Sequence, residues 1–171
     1  MCQEHNGILI VPERGNMPLP NRKLPRLTGF DYSSENSYFV TICTKNKKCL
    51  FGTIDTLNFY GKIAENELLK IPSRFKDIRL DKYIIMPNHI HAIITIGSDR
   101  AIRNLEPHDD LSIMLGLYKS GVSREIHKFS PGLEIWQKSY FDNIIRNEDA
   151  YYEICRYIDE NPVRWKLNKQ G

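Results

Sequence analysis

The sequence predicts an α+β domain: an antiparallel ferredoxin-like (RRM-like) sheet with helices packed on it, plus a C-terminal helix. Two observations support this prediction. Residues 78–86 and 89–96 are both rich in β-branched and aromatic residues, and Pro87-Asn88 between them is typical of a tight turn. Strand and helix patterns also follow one another in the order β-α-β-β-α-β-α, which is the split ferredoxin-like order followed by one more helix.

The other elements follow from local patterns. Residues 37–45 are β-branched and aromatic and predict the first strand. Residues 62–75 show helical spacing of apolar side chains, and Pro72 must end or bend that helix. Residues 111–129 have the spacing of a second helix, and residues 135–145 predict an irregular fourth strand.

The last helix is predicted to begin after Asn147, whose side chain can cap it, and to end at Pro162. Acidic residues in its first turn suit the positive end of the helix dipole. Its apolar stripe consists of Tyr151, Ile154, Cys155 and Ile158. We expect this stripe to face the core.

Length and composition predict a basic N-terminal arm, residues 1–27, and a single domain, residues 28–171. The chain has 171 residues, of which 41% are hydrophobic and 26% charged, as in ordinary globular proteins. No apolar run approaches the ~18 residues of a membrane span, and residues 1–10 lack a signal-peptide pattern. A cytoplasmic protein is therefore expected. The four cysteines form no C-x-x-C pair, so reduced thiols are expected.

Basic residues suggest contacts with a nucleic-acid backbone. Arg22, Lys23 and Arg26 are interleaved with prolines, and such an extended segment can lie along phosphates. Lys138 and Arg146 are further candidate phosphate contacts. The net charge of +3 is weak support by itself. The alternatives are a solvated, partly disordered tail for the arm and ordinary surface charges for the other two.

His89 and His91 are the candidate metal ligands. They are separated by one residue in a predicted strand, so both imidazoles project from the same face. Neutral imidazoles bind divalent cations. Two ligands are too few for a structural zinc site, so an open site for Mg²⁺ or Mn²⁺ fits better. The alternative is a pair of half-buried strand histidines with neighbouring partners.

Tyr157 and Asn161 lie four residues apart on the last helix, at one flank of its apolar stripe. Asn161 offers a side-chain oxygen as a third metal ligand. Tyr157 lies where a tyrosine can cover the sheet near the histidines, but spacing does not show that it reaches them. The alternative is a border tyrosine with a packed ring and a hydrated hydroxyl group.

Two strings lead to a family resemblance: MPNHIHAII, which contains both histidines, and YIDENP, which contains both helix residues. Further matching segments are residues 28–52 and 136–151, and together they cover most of the chain from Arg22 to Trp165. The chain resembles the REP-associated tyrosine transposases and the single-tyrosine transposases of small insertion sequences. Both belong to the HUH endonuclease superfamily, named for its His-hydrophobic-His motif.

The resemblance implies a DNA-nicking and strand-transfer enzyme. By position, His89 and His91 match the metal-binding pair, Tyr157 the nucleophile, and Asn161 the residue that completes the metal site. The implied reaction cleaves single-stranded DNA at sites beside hairpins, such as REP-like palindromes, through a 5′-phosphotyrosine intermediate. The implied cofactor is Mg²⁺ or Mn²⁺, and the implied assembly is a monomer or a homodimer.

Other functions remain open at this stage. A replication-initiator nickase of the same superfamily would share the chemistry but usually has extra domains. A nucleic-acid-binding module with the same fold would bind DNA or RNA without cleaving it. A zinc hydrolase would cleave without a covalent intermediate.

Overall fold

The computed structural model describes residues 36–97 and 110–167. The basic arm predicted at residues 1–27, with Arg22, Lys23 and Arg26, lies outside the described residues. Within them, no helix is both long and apolar enough to cross a membrane.

The described elements confirm the predicted α+β class. They are β1 (Asn36–Cys43), α1 (Phe59–Leu69), α2 (Ile71–Arg74), β2 (Ile78–Met86), β3 (His89–Ile96), α3 (Asp110–His127), β4 (Phe141–Ile145) and α4 (Glu148–Leu167). The strands form one sheet in the order β2-β3-β1-β4. Every neighbouring pair is antiparallel.

Helices cover both faces of the sheet. Alternate residues of β1 and β3 form the larger core with α1, α2 and α3; among its members are Tyr38, Val40, Ile42, Leu68, Ile90, Ile94, Tyr118 and Val122. The residues between them face α4; this smaller core contains Phe39, Ile93, Ile145, Ile154 and Ile158. Tyr151 and Cys155 pack against the smaller core, so the predicted stripe of α4 does face the sheet.

Strand register brings both histidines opposite the end of β1. Thr41 faces His91 and Cys43 faces His89 across the β1–β3 pair. On the other side, β2 contains one extra residue, Asp81, because Leu80 faces Ile94 and Lys82 faces Ile93. This bulge turns the Asp81 carboxylate to accept a 2.6 Å hydrogen bond from Thr95.

Helix α4 runs beyond Pro162 to Leu167, so the expectation that Pro162 ends it is wrong. Proline removes one helical hydrogen bond and crowds the preceding turn, but tertiary contacts can outweigh that. Arg164 donates to Glu160 across the proline at 2.7 Å, and Lys166 pairs with Asp55 at 2.6 Å. These ion pairs hold the last turn in a helical path.

Two other boundaries differ in detail. The predicted helix at residues 62–75 is two helices, and Pro72 lies in the first turn of α2, where it is tolerated. The predicted strand at residues 135–145 is interrupted: Trp136 forms an isolated bridge with Thr44, and β4 begins at Phe141. The indole of Trp136 donates to the Lys119 carbonyl, which draws this part of the chain toward α3.

The cysteines depart from expectation at one position. Cys49 is disulfide-bonded, whereas reduced thiols were expected. Cys43 and Cys155 are free thiols.

Candidate metal and tyrosine site

The two histidine side chains converge at the beginning of β3. Their Nε2 atoms are 3.1 Å apart, and their ring centroids are 4.5 Å apart. His91 is 5% exposed. This geometry follows from the alternation of side chains along a strand, as the sequence predicts.

Each imidazole is held at its other nitrogen. The Thr41 hydroxyl group lies 2.9 Å from His91 Nδ1, and the Asn88 amide oxygen lies 2.6 Å from His89 Nδ1. Partners of this kind orient the ring of a metal-binding histidine and fix the position of its proton. Both Nε2 atoms are thereby aimed at the space that they share.

Burial keeps both rings neutral. Burial lowers the pKa of His89 to about 4, with the Lys47 charge acting in the same direction and a hydrogen bond with Asn161 opposing it. Burial also lowers the pKa of His91 well below its usual range, and the neighbouring His89 adds to this. Neutral imidazole is the form that binds a metal.

Tyr157 reaches the histidines, which spacing alone left open. Its ring centroid is 5.4 Å from that of His91 and 5.9 Å from that of Phe39, edge to face. The Arg164 guanidinium lies over the Tyr157 ring, 5.6 Å from its centroid. The phenol is therefore packed between the sheet and a cation about two turns further along α4.

Asn161 connects the tyrosine to the histidines. Its side chain is 7% exposed and hydrogen-bonds with both His89 and Tyr157. Burial raises the pKa of the Tyr157 phenol, while the Asn161 hydrogen bond and the Arg164 charge lower it. The phenol is the dominant form at neutral pH, and two neighbours favour the phenolate.

The donor atoms fit an open divalent-cation site. The part of the chain that the structure describes contains no group of three or more His, Cys, Asp or Glu side chains that could hold a metal. The two Nε2 atoms converge, and the buried Asn161 side chain is the further candidate donor, since it acts on the pKa of His89 through a hydrogen bond. Two imidazoles and one amide oxygen leave coordination positions for phosphate and water oxygens, which Mg²⁺ and Mn²⁺ favour.

The predicted DNA contacts do not all lie near this site. Lys138 is exposed and follows Gln137, whose backbone N–H donates to the Cys43 carbonyl beside His89. Arg146 is also exposed but follows the opposite end of β4, where Ile145 faces Ser37. Register therefore separates Arg146 from the histidines by the length of β4.

Sequence reasoning missed several residues around the site. Thr41 and Asn88 hold the imidazoles, Arg164 covers the tyrosine, and the Trp165 ring lies 5.9 Å from the His89 ring. Arg164 follows Tyr157 by seven residues, which is two helical turns, so helical spacing offered that signal. Thr41 is 50 residues from His91 in sequence, and strand register was needed to find it.

Comparisons with known proteins agree with this geometry. No family model matches the chain. An uncharacterised protein of Haemophilus influenzae is 36% identical over 171 aligned residues, covering 90% of this chain and 95% of that protein. The REP-associated tyrosine transposase of Escherichia coli K12 is 25% identical over 143 residues, covering 81% of this chain and 73% of the transposase.

A solved structure shares the fold. The structure of a REP-associated tyrosine transposase bound to a REP hairpin matches with a TM-score of 0.57 at 22% identity, over 76% of this chain and 68% of that one. At this identity the match supports the fold alone.

A four-stranded sheet with paired histidines and a helix-borne tyrosine thus has its relatives among transposases. The chain belongs to one family with the Haemophilus protein. The resemblance to REP-associated tyrosine transposases that the sequence predicts is confirmed by the similarity to the Escherichia coli transposase, and the solved transposase structure shares the fold.

Proposed function

We propose that this protein is a metal-dependent, single-strand DNA endonuclease and strand transferase that acts beside DNA hairpins, with Tyr157 as nucleophile. The observation that supports it best is the meeting of Tyr157, His89, His91 and Asn161 in one site, although they come from a strand and a distant helix. A purely structural role readily explains one buried histidine. It does not readily explain two imidazoles, an amide and a phenol in the same place, since these groups can bind a metal or attack a phosphate.

The proposed reaction is an in-line displacement at phosphorus. The Tyr157 oxygen forms a bond to the phosphorus while the bond from phosphorus to the 3′ oxygen breaks. The phenol loses its proton, and the leaving oxygen gains one to become a free 3′-hydroxyl. A 5′-phosphotyrosine remains, and because a phosphodiester has replaced a phosphodiester, attack by another 3′-hydroxyl can rejoin strands.

Activation of the phenol is the main energetic demand. An ordinary tyrosine is phenolate about once in a thousand molecules at pH 7, which corresponds to about 4 kcal/mol. Burial of Tyr157 adds to this demand, whereas the Asn161 hydrogen bond and the Arg164 charge reduce it. A divalent cation held by His89, His91 and Asn161 would neutralise charge on the scissile phosphate.

The proposed DNA contacts are electrostatic. Lys138 is near the end of the sheet that bears the histidines, so it is suited to a phosphate close to the cleavage point. Arg146 is suited to a more distant phosphate, since it lies at the other end of β4. We keep Arg22, Lys23 and Arg26 as candidate backbone contacts from the arm.

The test is to incubate the full chain with a single-stranded hairpin oligonucleotide and either Mg²⁺ or Mn²⁺. We expect a covalent protein–DNA adduct that is absent without metal and absent in Tyr157→Phe. Tyr152→Phe is the matched control, because Tyr152 lies on the same helix and is 62% exposed. This control variant should form the adduct at the normal rate.

Other outcomes separate the competing functions. An adduct that survives Tyr157→Phe rules out the nucleophile. Retarded DNA without any adduct indicates a binding module, and cleavage with a free 5′-phosphate indicates hydrolysis.

A further inference from the structure

We propose that the two histidines are held in different ways: Asn88 fixes His89 in one tautomer, whereas Thr41 lets His91 exchange tautomers when a cation binds. Asn88 and Thr41 are then positioning residues that act through the imidazoles. This inference rests on the proposed metal-binding role of the pair.

The hydrogen bonds of Asn88 determine which way its amide points. Its amide nitrogen donates to the Lys47 carbonyl at 3.2 Å, so its amide oxygen is the atom 2.6 Å from His89 Nδ1. An amide oxygen only accepts. His89 must therefore have its proton on Nδ1 and a lone pair on Nε2.

The backbone around Asn88 is built to keep this arrangement. Asn46 and Lys47 both have φ of +53°, a left-handed conformation that is uncommon for residues other than glycine. The backbone carbonyl of Asn88 also accepts from the Thr44 backbone N–H at 3.0 Å and from the Thr44 hydroxyl group at 2.9 Å. Asn88 is thus held both at its side-chain amide and at its backbone carbonyl.

Without a cation, the fixed tautomer of His89 dictates that of His91. The two Nε2 atoms are 3.1 Å apart, which is hydrogen-bonding distance. Since His89 Nε2 has a lone pair, His91 Nε2 must donate the proton. His91 Nδ1 then has the lone pair and accepts from the Thr41 hydroxyl group at 2.9 Å.

A cation between the rings requires a lone pair on both Nε2 atoms. The neutral His91 ring has one proton, so this proton must be on Nδ1 when the cation is bound. The exchange through water removes one proton from Nε2 and adds one to Nδ1, and the ring stays neutral. A hydroxyl group can both donate and accept, so Thr41 can hold His91 in either tautomer, whereas the Asn88 oxygen holds only one.

The test reads the tautomers directly by long-range ¹H–¹⁵N correlation NMR of the ¹⁵N-labelled full chain at neutral pH, with Mg²⁺ as a diamagnetic probe. Without metal, we expect His89 with its proton on Nδ1 and His91 with its proton on Nε2. With saturating Mg²⁺, we expect His89 unchanged and His91 with its proton moved to Nδ1. A metal-free His89 with its proton on Nε2, or a His91 that keeps its tautomer while Mg²⁺ shifts both rings, overturns the inference.

Variants of Thr41 test the positioning role through metal affinity. Thr41→Val keeps the shape but leaves His91 Nδ1–H without an acceptor in the loaded state, so the Kd for Mg²⁺ should rise about tenfold or more. Thr41→Ser should restore it. Thr95→Val is the matched control, because it also removes a buried hydroxyl group from this sheet. The Thr95 hydroxyl group hydrogen-bonds with Ser37 and Asp81, and not with a histidine.

The failure of this inference and that of the proposed function are distinguishable. An affinity that is equal in Thr41→Val and wild type contradicts the inference while adduct formation continues. Mg²⁺ that shifts neither ring contradicts both the metal assignment and the tautomer exchange. The expected tautomers without adduct formation contradict the nuclease only.

Discussion

At the residue scale, the site consists of short polar contacts that replace water around buried groups. The sequence predicted the shared face of His89 and His91 because alternation in a strand is a local property. It also predicted the pairing of Tyr157 with Asn161 on one flank of a helix. It did not predict Thr41 or Arg164 as neighbours, since these contacts depend on strand register and on the docking of α4.

The lowered histidine pKa values predict acid sensitivity. An unfolded histidine has a pKa near 6.5, whereas folded His89 has a pKa of about 4. The unfolded state therefore binds more protons as the pH falls below about 6.5. The contribution of His89 to stability is complete above that pH and is lost progressively down to about pH 4, on the order of 3 kcal/mol in total.

Urea unfolding between pH 7.5 and 4.5 measures this effect. The free energy of unfolding should fall less steeply with acid in His89→Gln than in wild type. His127→Gln is the control, because the exposed His127 side chain hydrogen-bonds the Leu133 carbonyl outside the site. Equal pH slopes for wild type and His89→Gln would contradict a partly buried His89 that is neutral in the folded protein.

At the element scale, β3 and α4 contribute most of the site, and the packing of α4 on the sheet sets the distance between them. The stripe of α4 was predictable because helical periodicity is encoded within the helix. The end of α4 was not predictable, because Pro162 is a strong local stop signal. The contacts of Arg164 and Lys166 outweigh that signal. The start of β4 was likewise set by tertiary contacts of Trp136.

Loosening α4 should impair chemistry more than an equal loss of stability elsewhere. Ile158 is 1% exposed in the smaller core, directly after Tyr157. Ile158→Ala should lower the free energy of unfolding by about 2–5 kcal/mol and should also slow adduct formation, because the tyrosine loses its support.

Ile126→Ala is the matched control, since Ile126 is fully buried in the larger core on the other face of the sheet. A similar loss of stability should leave adduct formation by the folded fraction unchanged. Equal slowing in both variants would indicate a general loss of folded protein. Urea unfolding and adduct kinetics on the same samples provide the comparison.

At the scale of the whole molecule, α4 covers the sheet of its own chain, so one polypeptide contains the tyrosine and both histidines. The α+β class and element order were predictable because each element has a local signature. The pairing of distant strands and the meeting of Tyr157 with His91 were not, because they arise only when all layers are assembled. Only the family resemblance predicted, before the structure was known, that Tyr157 and the histidines share one site.

This arrangement predicts that a single chain completes the site. Mixing Tyr157→Phe with His91→Ala should give no covalent adduct, because neither chain has both the nucleophile and the metal pair. Adduct formation by the mixture, and by neither variant alone, would show that the tyrosine helix serves a partner chain. Gel analysis of the mixed sample with hairpin DNA and Mn²⁺ decides between the two.

The bulge at Asp81 has a consequence for the behaviour of the protein in concentrated solution. Strand β2 is at an edge of the described sheet, and a flat edge is a template on which other chains add strands and aggregate. The extra residue interrupts the regular ladder and places a carboxylate within the edge. Deleting Asp81 should straighten that edge and make the protein scatter light at concentrations at which the wild type stays clear.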